Sequence, residues 1–530
     1  MLKKIPEILT VAILGISFIG ANPVYAVSKN TKSNKPYVNE SVKKQDSNGQ
    51  KVTILYYCDA DNNLEGALMS DIAEMKRGYV NNPNLNLIAL VDRTPNESND
   101  STALGENFED TRLYKIEHNK AIRLDGGKEF PEIKTNGSYE ANMGDAQTLK
   151  KFIEFGKAHY KADKYILLMS NHGGGAKDNK NNNPNLNLNK AICWDDSSSD
   201  GDQPDCLYMG EISDNLTNKH SVDVLAFDAC LMGTAEVAYQ FRPDNGGFSA
   251  KTMIASSPVV WGPGFKYDNI FSRIREGNTI SNEDDLTLGG KEKSFDPKTI
   301  TNEQIGALFV EEQRDSVKAA GRNDQQLSCY DLNKVKNLKE SFDKLAVNLS
   351  KEDKKIEIEN LRGTRTKVNL IHYFNERKQF EWIEYPYFDV YDLCQQISLS
   401  NKFSKETKTL ASNVMKDIDS VILYSFGGSK FNGTNGFKEG KNGLSVFLPD
   451  GNRNYIGRYS FKKIPHWQIQ SWYNSIDTVA SGLNNPYGKL SWCKDGQNPK
   501  KNTVGNWFEL LDSWFDTSNG VDGGLNHYQW

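Results

Sequence analysis

Apolar runs that stop abruptly at polar or glycine-rich turns dominate the first half of this chain. Val52 to Cys58 (VTILYYC) reads as a buried strand, Leu64 to about Tyr79 as a helix and Leu85 to Val91 as a second strand, which together open a βαβ series. A hairpin over Thr111 to Leu124, a helix from about Asp145 to Tyr160 and the apolar run Tyr165 to Ser170 continue it. Val222 to Asp228 is the next strand, followed by a helix from about Thr234 to Phe241 and a strand over Thr252 to Ser256. Strands and helices in alternation predict an α/β fold, a mainly parallel sheet flanked by helices. Active sites in such sheets lie at the carboxyl ends of strands.

The second half is less regular. Thr301 to Ser316, Asn333 to Leu349 and about Phe388 to Ser400 have helical character, and Val421 to Phe426 and Leu444 to Leu448 read as strands. Asn432-Gly433, Asn435-Gly436 and Asn442-Gly443 turns lie between those two strands. This region is predicted to be either a C-terminal subdomain or an extension of the first sheet, because 530 residues exceed the usual size of one core. Ala176 to Lys190 carries seven Asn, one Pro and no core pattern, so it is predicted to be an exposed, protease-sensitive loop.

At the amino end, Lys3 and Lys4, the apolar stretch Ile8 to Ala21 and the small-residue site Val24-Tyr25-Ala26 read as a secretory signal over residues 1–26. Residues 27–51 are polar and read as a pro-segment. No later stretch is apolar enough to span a bilayer, so a secreted, soluble protein without a membrane anchor is expected. A net charge of −5 and the lack of a basic, aromatic-rich block argue against a nucleic-acid partner.

Seven cysteines in an exported chain leave at least one thiol over, and that thiol is either buried or chemically required. Cys230 directly follows an apolar strand, at the edge where a parallel sheet presents reactive groups. A thiolate needs a base to take its proton and N–H donors to hold the oxyanion that it creates. His172 ends another apolar strand, and the glycines after it let backbone N–H groups approach a substrate carbonyl. Asp228, two residues before Cys230, is expected on the same face. It would either pair with a substrate guanidinium or cap the following helix. No His-Glu-x-x-His and no Cys-x-x-Cys is present, so a zinc enzyme has no support.

Ser-Asn-His-Gly-Gly-Gly at 170–175, Asp-Ala-Cys at 228–230, the opening VTILYYCDADNNLE and the run NKAICWDD resemble the clostripain-like cysteine peptidases, a likeness that extends over nearly the whole chain. The resemblance implies a caspase-like fold and an endopeptidase acting on proteins or peptides after Arg, with Lys also possible. It implies a dyad of Cys230 and His172, an oxyanion hole from the backbone N–H groups of Gly173 and Cys230, and Asp228 in the S1 pocket. It further implies maturation into non-covalently associated light and heavy chains. Lys51, Lys180 and Lys190 are the candidate cuts, giving a light chain 52–180, a linker 181–190, and a heavy chain made of 191–290 and a C-terminal region 291–530. No Arg lies between Gly173 and Lys190, so self-cleavage there would use Lys.

No organic cofactor is expected, whereas the resemblance implies calcium. Asp196, Ser198, Asp200, Gly201 and Asp202 match the first part of an EF-hand loop, but Leu207 stands where its closing Glu belongs. Asp196, Asp200 and Asp202 are therefore the candidate ligands. Asp59, Asp61 and Asn63 begin a second partial match. Two rival readings remain at this point: a caspase-fold peptidase of different P1 preference, and a secreted binding or adhesion protein in which Cys230 is inert.

Overall fold

A computed structural model of the chain describes residues 49–94, 100–176, 192–197, 204–277, 294–364, 366–376, 381–382, 385–449, 487–488, 490–497 and 503–515. The signal, most of the pro-segment, Lys180, Lys190, Asp200 and Asp202 lie outside these residues.

The chain order begins β1 (Val52–Ala60), α1 (Glu65–Gly78), β2 (Leu85–Arg93), β3 (Thr111–Glu117), β4 (Lys120–Leu124), α2 (Ala146–His159) and β5 (Lys164–Ser170). It continues with β6 (Ile192–Asp195), β7 (Asp205–Leu207), α3 (Met209–Asn215), β8 (Val222–Asp228), α4 (Ala235–Gln240), β9 (Ala250–Ala255) and α5 (Tyr267–Ser272). Then come α6 (Asn302–Ala319), β10 (Gln326–Asp331), α7 (Val335–Lys351), α8 (Lys355–Arg362), β11 (Gly363–Thr364), β12 (Lys367–Val368), β13 (Tyr387–Asp389), α9 (Val390–Leu399) and α10 (Lys405–Val421). The last described elements are β14 (Ile422–Gly427), β15 (Ser445–Phe447), α11 (Ser491–Lys494) and α12 (Trp507–Phe515).

Nine strands form the main sheet, in the order β14-β10-β9-β8-β5-β1-β2-β3-β4. The middle five, from β9 to β2, are parallel, and antiparallel pairs close both flanks. The apolar runs are continuous because both faces of the parallel strands are covered. Ile54, Tyr56 and Cys58 of β1 share a core with α1, α5 and α6, while Leu55 and Tyr57 join the core under α2, α3, α4 and α7. Period-two alternation thus separates two cores that one hydrophobic sequence feeds.

Among the described residues, β10 and β14 of the C-terminal region extend the first sheet. β10 and β14 add its outer antiparallel edge, and all described residues fall within one compact unit, so the further unit expected from length is absent among them. The strands at 421–426 and 444–448 do not pair with each other: β14 bonds to β10, and β15 forms a small ladder with β13. No helix among the described residues is long and apolar enough to cross a membrane.

Candidate active site

Parallel register brings the two strand-end motifs together. β5 and β8 pair so that Ser170 faces Asp228, and two residues further along each strand stand His172 and Cys230. The Asn171 N–H donates to the Asp228 carbonyl at 3.3 Å, which carries the pairing past the strand ends. A Cβ on Gly173 would lie 2.1 Å from the Cys230 carbonyl oxygen and 2.9 Å from its amide nitrogen, so only glycine lets the two backbones run this close.

Cys230 is the one cysteine of the seven that is not buried, and all seven are thiols. Its Sγ makes a long contact of 3.9 Å with the Val260 carbonyl. Leu231 follows at φ 67°, held by an N–H bond of 3.0 Å to the Pro258 carbonyl. A leucine in that conformation costs about 1–3 kcal/mol, strain of the kind that surrounding structure maintains at reactive turns.

The His172 side chain is buried, and its Nε2 donates to Asn63 Oδ1 at 2.7 Å. Its backbone N–H bonds to Asn171 Oδ1, and Asn171 Nδ2 donates in turn to the carbonyls of Asp59 (2.6 Å) and Trp194 (3.1 Å). Asn63 figures in the sequence only as part of the second partial EF-hand match, and its bond to the imidazole is a role that match does not predict. It sits far from His172 in the chain, and only the β1 and β5 strand ends bring it close. The glycine run is fixed from the far end of the protein: Tyr387 Oη accepts from Ala176 N–H at 3.0 Å and donates to the Gly174 carbonyl at 3.3 Å.

Asp228 does not cap the helix that follows it. Thr234 caps α4, its side chain accepting from Val237 N–H. Asp228 is buried instead against the α5 side, where Oδ2 accepts from Phe265 N–H (3.1 Å) and Tyr267 Oη (2.8 Å). Burial pushes its carboxyl up to about 6, opposed by those two donors. The expected shared face with Cys230 ends with the strand, because Cys230 packs against the opposite core.

Asp71 of α1 is a second acid at this place. Gly264, at φ 62°, leaves a gap whose Cβ position lies 2.7 Å from Asp228 Oδ2 and 3.2 Å from Asp71 Oδ2. Burial, then the Asp228 charge, raises the Asp71 carboxyl well above its ordinary value. The nearby cations Lys266 and Arg77 are engaged with Glu74 and Asp268, and neither Asp71 nor Asp228 has an ion pair among the described residues.

A different acidic group occupies the ends of β1 and β2. Carboxylate oxygens of Asp61, Asp92 and Glu140 lie within 4.8 Å of one another. Two ionised carboxylates at that separation repel by about 3 kcal/mol at an effective dielectric of about 20. Burial first, and neighbouring acids second, push Glu140 up to about 8 and raise Asp59 and Asp92 well above the usual range. Asp195 also rises to about 8, through burial and the nearby Asp61 charge, with its bond to Met143 N–H opposing. Of the ligands anticipated from sequence, Asp196 is exposed and bonded to Trp194 Nε1, outside this group, while its neighbour Asp195 is buried. Lys51, the described candidate cut, is exposed at the start of β1, with its N–H bonded to Asp163 Oδ2 at 2.8 Å.

A caspase-like sheet that presents a lone accessible thiol beside a strand-end histidine defines a cysteine peptidase. The sequence profile of the clostripain family matches residues 56–514. The chain is 64% identical over 532 residues to clostripain of Hathewaya histolytica, an alignment that covers 100% of this chain and 99% of that one. It therefore belongs to the clostripain family and is a cysteine endopeptidase. Its fold is similar to an inactive zymogen C11 protease from Parabacteroides distasonis, with a TM-score of 0.51, 16% identity, and coverage of 84% of this chain and 98% of that one. Membership overturns the reading of an inert binding or adhesion protein.

Proposed function

We propose that Cys230 is the nucleophile and His172 the general base of a secreted endopeptidase that cleaves after Arg, and less readily after Lys. The register that sets His172 and Cys230 side by side at adjacent parallel strand ends is the observation that carries this reading. Asn63 Oδ1 can only accept, so the His172 proton resides on Nε2 and the basic lone pair on Nδ1. His172 takes the thiol proton, and the sulfur attacks the carbonyl carbon. The oxyanion is held by the N–H groups of Gly173 and Cys230, and the imidazolium returns its proton to the leaving amine. Water, deprotonated by His172, then releases the acyl group. Side chains and backbone carry the whole sequence without an organic cofactor.

The basic P1 preference rests on Asp228, whose carboxyl burial lifts to about 6, with the more strongly raised Asp71 carboxyl behind it. Maturation at Lys51, Lys180 and Lys190 gives chains 52–180 and 191–530. A calcium requirement accompanies this reading: Asp61, Asp92 and Glu140 supply the hard carboxylate oxygens that such an ion takes, and its part is structural, outside acyl transfer.

The test is hydrolysis of matched P1-Arg, P1-Lys and P1-Asn reporters by the purified protein, Cys230→Ala and His172→Ala, with chain cleavage followed on a denaturing gel. Arg turnover that is lost in both variants is expected, with Cys230→Ala remaining a single chain. Wild-type turnover of P1-Asn over P1-Arg would overturn the specificity, and undiminished turnover by Cys230→Ala would overturn the nucleophile.

A further inference from the structure

Five carboxylates converge around the ends of β1 and β2. Asp59 is the penultimate residue of β1 and Asp61 follows the strand. Asp92 stands opposite Asp59 in the register, Glu140 precedes α2, and Asp195 closes β6. The first four precede the Asn-rich segment in sequence, and Asp195 follows it. Asp59 is wholly buried with neither carboxylate oxygen hydrogen-bonded, it stands beside Asp92 across the β1–β2 register, and the neighbouring Asp195, Asp92 and Asp61 charges act on it. One buried oxygen each of Asp61, Asp92 and Glu140 also lacks a partner among the described residues. No Lys or Arg is among the groups acting most strongly on Asp59, Asp92, Glu140 or Asp195. Arg93, beside Asp92 in sequence, is engaged with Glu65 at 2.7 Å.

We propose that Asp59, Asp61, Asp92, Glu140 and Asp195 form a calcium-type cation site that clamps the light and heavy chains together across the maturation cut. This rests on the reading that the segment is cut and that calcium is required. Two oxygens on one calcium, each at about 2.4 Å, stand at most about 4.8 Å apart, and the separations among the Asp61, Asp92 and Glu140 oxygens meet that limit. Buried acids without hydrogen-bond donors are costly unless a cation joins them. Hydrogen bonds already cross the cut here, from Ser197 N–H to Asp61 Oδ2 (2.9 Å) and from Asn62 Nδ2 to the Trp194 carbonyl (2.8 Å). Shared ligation adds a charged link between Asp195 on one chain and the four acids of the other. The run Asp61-Asn62-Asn63 ends on the His172 imidazole, so a ligand of the clamp lies two residues from the group that orients the base.

The test uses matured two-chain protein with Cys230 alkylated to stop turnover. It is stripped with EGTA, titrated with calcium by calorimetry and with terbium by luminescence, and run on size exclusion with and without calcium. We expect one tight equivalent, a tenfold or greater loss of affinity in Asp92→Asn and Glu140→Gln, and none in Asp196→Asn. The chains should separate in EGTA and co-elute in calcium. Absence of a tight equivalent, or full affinity in both variants, overturns the site, and chains that stay together in EGTA overturn the clamp. Should the variants fail to fold, the wild-type elution comparison still decides. None of these readouts depends on P1 preference. A single band on a denaturing gel would sink the maturation reading, while the titration would still judge the site.

Discussion

Two groups of buried acids sit at the same edge of one sheet and are built on opposite plans. Around Asp228 the protein supplies donors, the Phe265 N–H and the Tyr267 hydroxyl, while burial and the Asp228 charge push the neighbouring Asp71 carboxyl well above its ordinary value. The Asp228 carboxylate is thus supported by the protein and lies beside Gly264. Around Asp59 and Asp92 the oxygens are crowded and several have no donor at all. Supplying donors makes an acid that can stand alone between visits of an organic cation. Withholding them makes a group suited to an ion that stays.

The largest effect should come from Asp228→Asn, which removes the supported charge. kcat/KM for P1-Arg reporters should fall by about 10²–10³-fold, the cost of breaking a desolvated ion pair, while calcium affinity stays unchanged. A loss below about tenfold would detach Asp228 from specificity. Next, calcium at about 100 times its Kd should stabilise the wild type by about 2.7 kcal/mol, read as a rise of a few degrees in Tm, and Asp92→Asn should abolish that rise without altering the inhibition constant of an arginine analogue. An unchanged calcium response in the variant would put the ion elsewhere.

The third prediction concerns pH. Burial lifts the Asp228 carboxyl to about 6, so under the proposed S1 role protonation below that value would remove the charge opposite a substrate guanidinium. KM for P1-Arg should rise by up to about tenfold per pH unit below 6, and the dependence should disappear in Asp228→Asn. The smallest effect belongs to Asp71→Asn, which keeps the shape of a carboxyl that burial and the Asp228 charge already hold well above its ordinary value. Only a severalfold change in kcat/KM is expected, and a loss as deep as that of Asp228→Asn would mean that both acids are charged in the working pocket.

Sequence reasoning succeeded where chemistry and strand pattern coincided. β8 spans Val222 to Asp228 as its pattern predicts, and the parallel pairing of β5 and β8 sets His172 and Cys230 just beyond adjacent strand ends. β10 (QLSCYD) escaped notice because its polar residues break the apolar run, yet they are buried, with Ser328 and Gln326 bonding to the Gly443 carbonyl. α10 was missed because its apolar stripe of Ala411, Val414, Ile418 and Val421 is narrow among lysines and polar residues. Asp59 and Asp61 drew attention as part of a linear calcium motif. Their partners come from β2, the segment before α2 and β6, an assembly that no linear motif encodes. Asp71 is an ordinary polar residue in sequence and Asn63 stands out only in the partial calcium motif; the packing of α1 sets Asp71 beside Asp228, and the turn after β1 sets Asn63 on the His172 imidazole.

The Tyr387 hydroxyl bears on how this protein can be divided. Every side chain assigned to the reaction, and the pocket behind it, lies before Phe271, which invites a shortened fragment ending near α5. Such a fragment would lack the phenol that grips both Gly174 and Ala176, as well as β10 and β14, leaving the parallel sheet with an open edge beside β9. The apparent minimal enzyme is therefore not a module that can be transplanted: its reactive loop is anchored by a residue more than a hundred positions beyond the last group that touches substrate.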